Sequence, residues 1–253
     1  MAAASAGAGH GAPRRHLKRV VRDPDPRTPL PDWVAAIPAV RQLLDLPDGW
    51  QVPAGVTVLV GENGSGKSTI VEALAASYPR LPMDRTGPGV GRDEAPLARH
   101  LTCETDRMAA RGGFFLRAEA MHGYLRAYDE SIGESRPDRG ETPVLSRSHG
   151  EGFLWVLQEH FAQAGVFFLD ELEAALSFSS CLGLLSLLDT LASEGSQVIM
   201  ATHSPLLAAL PGATVYQLDD DGMHETPWQE LDLVTQWRGF LSAPQRFLRH
   251  LLD

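Results

Sequence analysis

Cysteine is scarce. Cys103 and Cys181 are the only two in 253 residues, they lie far apart, and neither has a Cys or His at zinc-ligand spacing, which excludes a disulfide framework and a zinc site. Both are read as reduced thiols. Long apolar runs are also missing: none reaches the ~18 residues needed to cross a bilayer, and the alanine- and glycine-rich start lacks the continuous apolar core of a signal peptide. The expectation is a cytoplasmic protein with no stable membrane insertion. Positive charge is in deficit, with 22 Lys and Arg against 32 Asp and Glu and a formal net charge of −10. That balance excludes a surface committed as a whole to nucleic acid. One local exception is the segment with Arg14, Arg15, His16, Lys18, Arg19 and Arg22. It reads as a solvated edge strand whose cations discourage edge pairing, with contact to a phosphate backbone as the other reading. No internal repeat of fixed period is present.

What the chain does have is a glycine-rich stretch in a telling context. Val56-Thr57-Val58-Leu59-Val60 is apolar and β-branched enough for a buried strand, and Ile70, Val71 and Leu74 recur at helical spacing beyond it. Between them, Gly61-Glu62-Asn63-Gly64-Ser65-Gly66-Lys67-Ser68 fits G-x-x-x-x-G-K-[ST] at every fixed position. Such a loop turns successive backbone N–H groups inward to cradle phosphate oxygens. The Lys67 ammonium is expected to reach the outer phosphates and the Ser68 hydroxyl to bind Mg²⁺, with the positive end of the following helix aimed at the same anion.

The rest of the chain alternates strand and helix patterns. A first strand is expected from His16 to Val21, and a proline-rich connection with a short helix from Ala39 follows. Further strands are expected over Gly112–Ala120, from Gly165 to Asp170, over Gln197–Ser204 and over Ala213–Asp219, with a helix through Leu184, Leu185, Leu188 and Leu191. Strands interleaved with helices mean an α/β fold with a mostly parallel sheet covered on both faces. Residues 1–13 read as a disordered tail, and 14–253 as a single domain with a loop-rich insertion and helical subdomain over about 80–150.

Three further constellations carry chemistry. Val166-Phe167-Phe168-Leu169-Asp170-Glu171 places two acids at the carboxyl end of a strand, where ligands sit in open α/β sheets. There Asp170 is expected to hold the water shell of Mg²⁺, and Glu171 to orient or deprotonate an attacking water. Ala201-Thr202-His203-Ser204-Pro205 follows the next strand, so His203 belongs on the same rim, where an imidazole can bond the γ-phosphate. Ser148-His149-Gly150-Glu151 is a capping box that needs no ligand, yet a helix start with an open glycine is also a phosphate site, including one for a second subunit.

Taken in this order, the loop, "SHGE", "FFLDE", "AALS" and "ATHSP" resemble the ABC-type ATPase superfamily. Within it they resemble the small stand-alone ATPases related to the RecF and SMC class, over roughly Val56 to Leu252. The resemblance implies ATP and Mg²⁺ as cofactors, with Gly61, Glu62, Asn63, Gly64, Ser65, Gly66, Lys67, Ser68 and Thr69 at the phosphate and magnesium positions. It implies Asp170 as the metal carboxylate, Glu171 as the base, His203 as the switch histidine, and Ser148 and Gly150 as the signature contributed to a second subunit. Ser177 closes the segment resembling the D-loop. Two departures stand out. Leu172 replaces a proline, which is expected to loosen the turn after the catalytic acid. No glutamine loop is evident, and Arg117 or Glu119 occupies its place.

The implied function is a soluble ATPase that sandwiches ATP between two copies and acts on DNA or a DNA-bound protein. The motor subunit of a membrane transporter and a small-molecule kinase are the alternatives. About a hundred residues separate Lys67 from Asp170, too few for a long coiled-coil arm.

Overall fold

The computed structural model describes residues 14–26, 28–79, 95–110, 112–120 and 164–249, with the single positions 123, 154 and 157. The tail expected over 1–13, much of the loop-rich insertion expected over about 80–150, and Ser148 and Gly150 themselves lie outside the described residues. Along the chain run β1 (Leu17–Arg22), α1 (Asp32–Ala35), α2 (Pro38–Asp45), β2 (Trp50–Gln51), β3 (Val56–Gly61), α3 (Lys67–Ser77), β4 (Leu101–Thr105) and β5 (Gly112–Arg117). They are followed by β6 (Gly165–Asp170), α4 (Phe178–Ser193), β7 (Gln197–Thr202), β8 (Thr214–Asp219), β9 (Gly222–Glu225), α5 (Asp232–Ser242) and α6 (Pro244–Leu248).

The main sheet has six strands in the order β5-β6-β7-β3-β8-β9. All its pairs are parallel except the terminal hairpin β8–β9. Both faces are covered, and the side chains alternate between them. Leu59, Val166, Phe168, Ile199 and Ala201 face one core with Ile70, Val71 and Leu74 of α3. Val58, Val60, Phe167, Leu169, Val198 and Met200 face the other with Leu184, Leu188 and Leu191 of α4. Burial on both sides explains why β6 and β7 read as unbroken apolar runs rather than alternating ones. Leu157 is buried in the second core with Leu154 packed against it.

A second sheet, β2-β1-β4, is antiparallel and has three strands. It corrects the reading of the basic segment: β1 pairs on both sides and is the central strand, not an edge. Its cations face carboxylates instead of guarding an edge. Arg19 holds Glu104 through Nε and Nη2 at 2.8 and 2.7 Å, Lys18 lies 2.6 Å from Asp106, and Arg22 lies 4.0 Å from Asp45. Residues 95–120, within the stretch expected to be loop-rich, therefore give a strand to each sheet.

One buried side chain ties the two sheets together through four hydrogen bonds. Gln197, at the start of β7, accepts through Oε1 from the N–H groups of His16 (2.9 Å) and Leu17 (2.7 Å). Its Nε2 donates to the carbonyls of Leu17 (3.0 Å) and Pro53 (2.7 Å). Replacing it with leucine keeps the volume but strands these backbone groups, at about 1–3 kcal/mol for each one left buried without a partner. Gln197→Leu is therefore expected to lower unfolding stability by at least ~2 kcal/mol, read from the urea midpoint. A loss below ~0.5 kcal/mol, the range of an ordinary surface change, would contradict the clamp.

Candidate active site

The parallel register carries the chemistry to one rim. Arg117 stands beside Asp170, Asp170 beside Ala201, and Val60 beside Thr202, so the carboxyl ends of β5, β6, β7 and β3 share an edge of the sheet. The phosphate loop, Asp170, Glu171 and His203 all lie there, as their strand ends required. Of the sequence-derived candidates, Ser148 and Gly150 are the two outside the described residues.

The loop keeps its curve through close approaches that exclude side chains. A Cβ on Gly61 would come within 2.4 Å of the Leu218 carbonyl oxygen, and one on Gly66 within 2.6 Å of Ile37 Cγ2. Gly66 also sits at φ +98°, a conformation that costs an L-residue energy and glycine none. From Gly66 the chain enters α3, whose first residue is Lys67. The Lys67 side chain is buried and folds back on the loop, donating to the carbonyls of Gly61 (2.8 Å) and Glu62 (2.9 Å). Burial lowers its pKa, while Glu171, Asp170 and Glu173 pull it back up. A 260 Å³ cleft opens over Gly64, Gly66, Lys67, Ser68 and Thr69, with Glu171 on its wall. A second cleft, of 390 Å³, lies across Asn63 and Gly64 toward His203 and Gln217.

Asp170 is buried at the end of β6. Burial raises its pKa, the Ser68 hydroxyl and the Arg117 guanidinium lower it, and the neighbouring Glu171 raises it. Oδ2 accepts from Arg117 Nε at 3.2 Å, whereas Oδ1 is buried with no hydrogen-bond partner. An unpartnered carboxylate oxygen beside a serine hydroxyl suits a hard cation with oxygen ligands. Among the described residues no group of three or more His, Cys, Asp or Glu could hold a metal ion. Mg²⁺ needs no such cage, because it keeps several waters and takes one or two carboxylates with substrate phosphates.

Glu171 is the one non-glycine residue at positive φ among the described residues, with φ 52° and ψ 39°. Its N–H bonds the Ala201 carbonyl at 3.0 Å, and its Oε1 lies 3.1 Å from His203 Nε2. Two residues on, Glu173 Oε1 accepts the backbone N–H of His203 at 2.5 Å. His203 is thus held at ring and backbone by two carboxylates of one turn. That turn corrects the expectation for Leu172. It is a tight 3₁₀ segment, Leu172–Ala175, closed by Ala174 N–H to Glu171 O at 3.0 Å, with Leu172 fully buried. A proline at 172 would push residue 171 toward extended backbone, so leucine permits the left-handed conformation seen at Glu171. Ser177 caps α4, accepting from Ser180 N–H at 3.2 Å.

Three side chains near the site escaped the sequence reading. Trp33, 61% exposed, lines the 260 Å³ cleft from α1, and nothing in its proline-rich surroundings signals that. Glu173, two residues past Glu171, belongs to none of the motifs. Glu72 pairs with Arg117; its place four residues after Ser68, on the same helix face, was the available signal.

Comparison with known proteins agrees with this geometry. A family model described as an AAA domain matches residues 44–78, which span β2, β3 and α3 with the loop between. The chain is 28% identical over 212 residues to the ABC multidrug transporter atrG of Aspergillus oryzae, covering 70% of this chain. It is 27% identical over 187 residues to a pleiotropic ABC efflux transporter of multiple drugs from Saccharomyces cerevisiae, covering 65% of this chain. These similarities support a place among the ABC/AAA-type ATPases. The chain spans only 14% and 12% of the length of those two relatives. A solved metal-chelate type ABC transporter in an inward-facing conformation superposes with a TM-score of 0.42 at 17% identity, over 71% of this chain and 75% of that one. Among the described residues no helix of the ATPase domain is long and apolar enough to cross a membrane.

The backbone at Glu171 yields a test. A left-handed L-residue costs roughly 1–2 kcal/mol, and glycine at such a position relieves that cost against about 0.5–1 kcal/mol of extra chain entropy. Glu171→Gly is expected to unfold at equal or higher urea, with a gain up to ~1 kcal/mol. Because most substitutions destabilise, a loss above ~1 kcal/mol would contradict the strain.

Proposed function

We propose that this ATPase domain hydrolyses ATP at a site completed when two copies close on the nucleotide. The observation that carries the reading is the Glu171–His203 pair, held at 3.1 Å on a rim beside the phosphate loop, with the two side chains 38% and 32% exposed. A water-activating pair that open to solvent needs a cover before the reaction is shielded from bulk water. A second copy presenting Ser148 and Gly150 is the proposed cover.

The chain's own groups divide the work as follows. Lys67 exchanges the Gly61 and Glu62 carbonyls for phosphate oxygens, joined by backbone N–H groups of the loop and the start of α3. Ser68 and Asp170 would hold Mg²⁺, whose charge would offset the charge developing on the phosphates. Glu171 takes the proton of the attacking water as its oxygen bonds the γ-phosphorus and the bond to the bridging oxygen breaks, leaving ADP and phosphate. His203 fixes the Glu171 carboxylate and is placed to bond the γ-phosphate.

As to what the hydrolysis drives, the likeness to a multidrug transporter and an efflux transporter supports a transporter motor over a DNA-coupled machine. Turnover indifferent to single- and double-stranded DNA supports that preference, and a several-fold stimulation by DNA would reverse it.

The catalytic assignment is tested by a pair of variants. Lys67→Ala is expected to lose tight ATP binding, whereas Glu171→Gln keeps binding and loses turnover by about 10²–10⁴-fold, the usual worth of a positioned base. Equilibrium binding of labelled ATP and steady-state phosphate release separate the two effects. Parental turnover in Glu171→Gln would remove Glu171 from the role.

A further inference from the structure

We infer that Arg117 is the positioning residue for the metal-binding carboxylate, setting which oxygen of Asp170 faces the nucleotide site. The inference rests on the proposed role of Asp170 and goes beyond it. Arg117 ends β5, next to Asp170 in register. Its Nε bonds Asp170 Oδ2 at 3.2 Å, and its Nη2 pairs with Glu72 on α3. The Phe115 ring, two residues back on β5, lies 5.8 Å from the guanidinium carbon. The guanidinium is therefore gripped by two carboxylates and one aromatic face, from β6, α3 and its own strand.

This arrangement distinguishes the two oxygens of Asp170. Oδ2 is occupied by Arg117, while Oδ1 is buried and unpartnered. A carboxylate without Arg117 could rotate about its last torsion, which is soft and two-fold, and present either oxygen. With Arg117 in place, one oxygen is committed and the other is left for a cation. Glu72 completes the device because it rides on the helix that also carries Lys67 and Ser68, so the same guanidinium ties the metal carboxylate to the phosphate-binding helix. Lysine cannot reproduce this: a single ammonium lacks the planar fork that reaches both carboxylates at fixed angles. Of the two residues open for this place, Glu119 lies in the following 3₁₀ turn, Ala118–Ala120, two residues past the register partner of Asp170.

The experiment measures ATP affinity of the full chain with excess Mg²⁺ and with EDTA, for parent, Arg117→Gln, Arg117→Lys and Asp170→Asn. The quantity read is the ratio of the two affinities. Outer partners of metal ligands typically contribute 10–100-fold to metal affinity. Arg117→Gln is expected to cut the Mg²⁺-dependent ratio by about tenfold or more, with ATP affinity in EDTA changed less than about twofold. Arg117→Lys is expected to fall between Arg117→Gln and parent, and it carries the test if the glutamine variant does not fold. A merely structural role would lower both affinities together and leave the ratio intact, and that result overturns the inference. If Asp170→Asn abolishes the Mg²⁺ dependence while both Arg117 variants keep it, the inference fails and the metal role of Asp170 stands. If Asp170→Asn itself keeps the dependence, that role falls and the inference with it.

Discussion

Burying a carboxylate costs several kcal/mol unless opposite charge and hydrogen bonds offset the loss of water. Asp170 is buried at the end of β6, and the rim around it is arranged to meet that cost. Arg117 supplies a cation on one oxygen, Ser68 lies alongside, and Lys67 adds a second positive charge close enough to feel Asp170, Glu171 and Glu173. The compensation stops one step short of completion, since Oδ1 has no hydrogen-bond partner. A satisfied carboxylate would be an inert structural ion pair; one with a buried open oxygen favours binding of a further cation. The Lys67 ammonium is in a similar position, parked on two loop carbonyls that phosphate oxygens can replace.

The second constraint is the turn that follows. Glu171 takes a left-handed backbone that L-residues avoid, and strain of this kind persists where the surroundings over-determine it. The determinants are visible: the Ala201 carbonyl holds its N–H, the buried Leu172 anchors the next residue, and the short 3₁₀ segment closes behind it. The result directs one carboxylate at the His203 ring and the next, Glu173, at the His203 backbone. His203 is therefore tied at ring and backbone to the turn after β6, which links the loops after β6 and β7.

Much of this was legible in the sequence, for a physical reason. Strands β3, β6 and β7 lie inside the main sheet, and burial on both faces leaves runs such as Val166–Leu169 that few other structures would use. The site residues on them followed from the rule that ligands meet the carboxyl ends of parallel strands. Strands β4 and β9 were not legible. Leu101–Thr105 and Gly222–Glu225 keep polar side chains on exposed faces, and β4 pairs with a strand some 80 residues away, which no local pattern announces. The cations of β1 misled in the same way, because edge protection and cross-strand ion pairing use the same residues and only the partners Asp106 and Glu104 tell them apart. Arg117 and Glu119 could be separated only by register, and Leu172 only by the backbone it permits at Glu171.

The central claim is that each chain carries a hydrolytic set on an open rim and that a second copy must close it. Turnover per subunit, measured as phosphate release with saturating ATP and Mg²⁺ across a wide range of protein concentration, tests this most directly. The account predicts that turnover per subunit rises with concentration toward a plateau, in parallel with ATP-dependent dimer formed in sedimentation. Constant turnover per subunit down to concentrations at which the protein sediments as a monomer would contradict it.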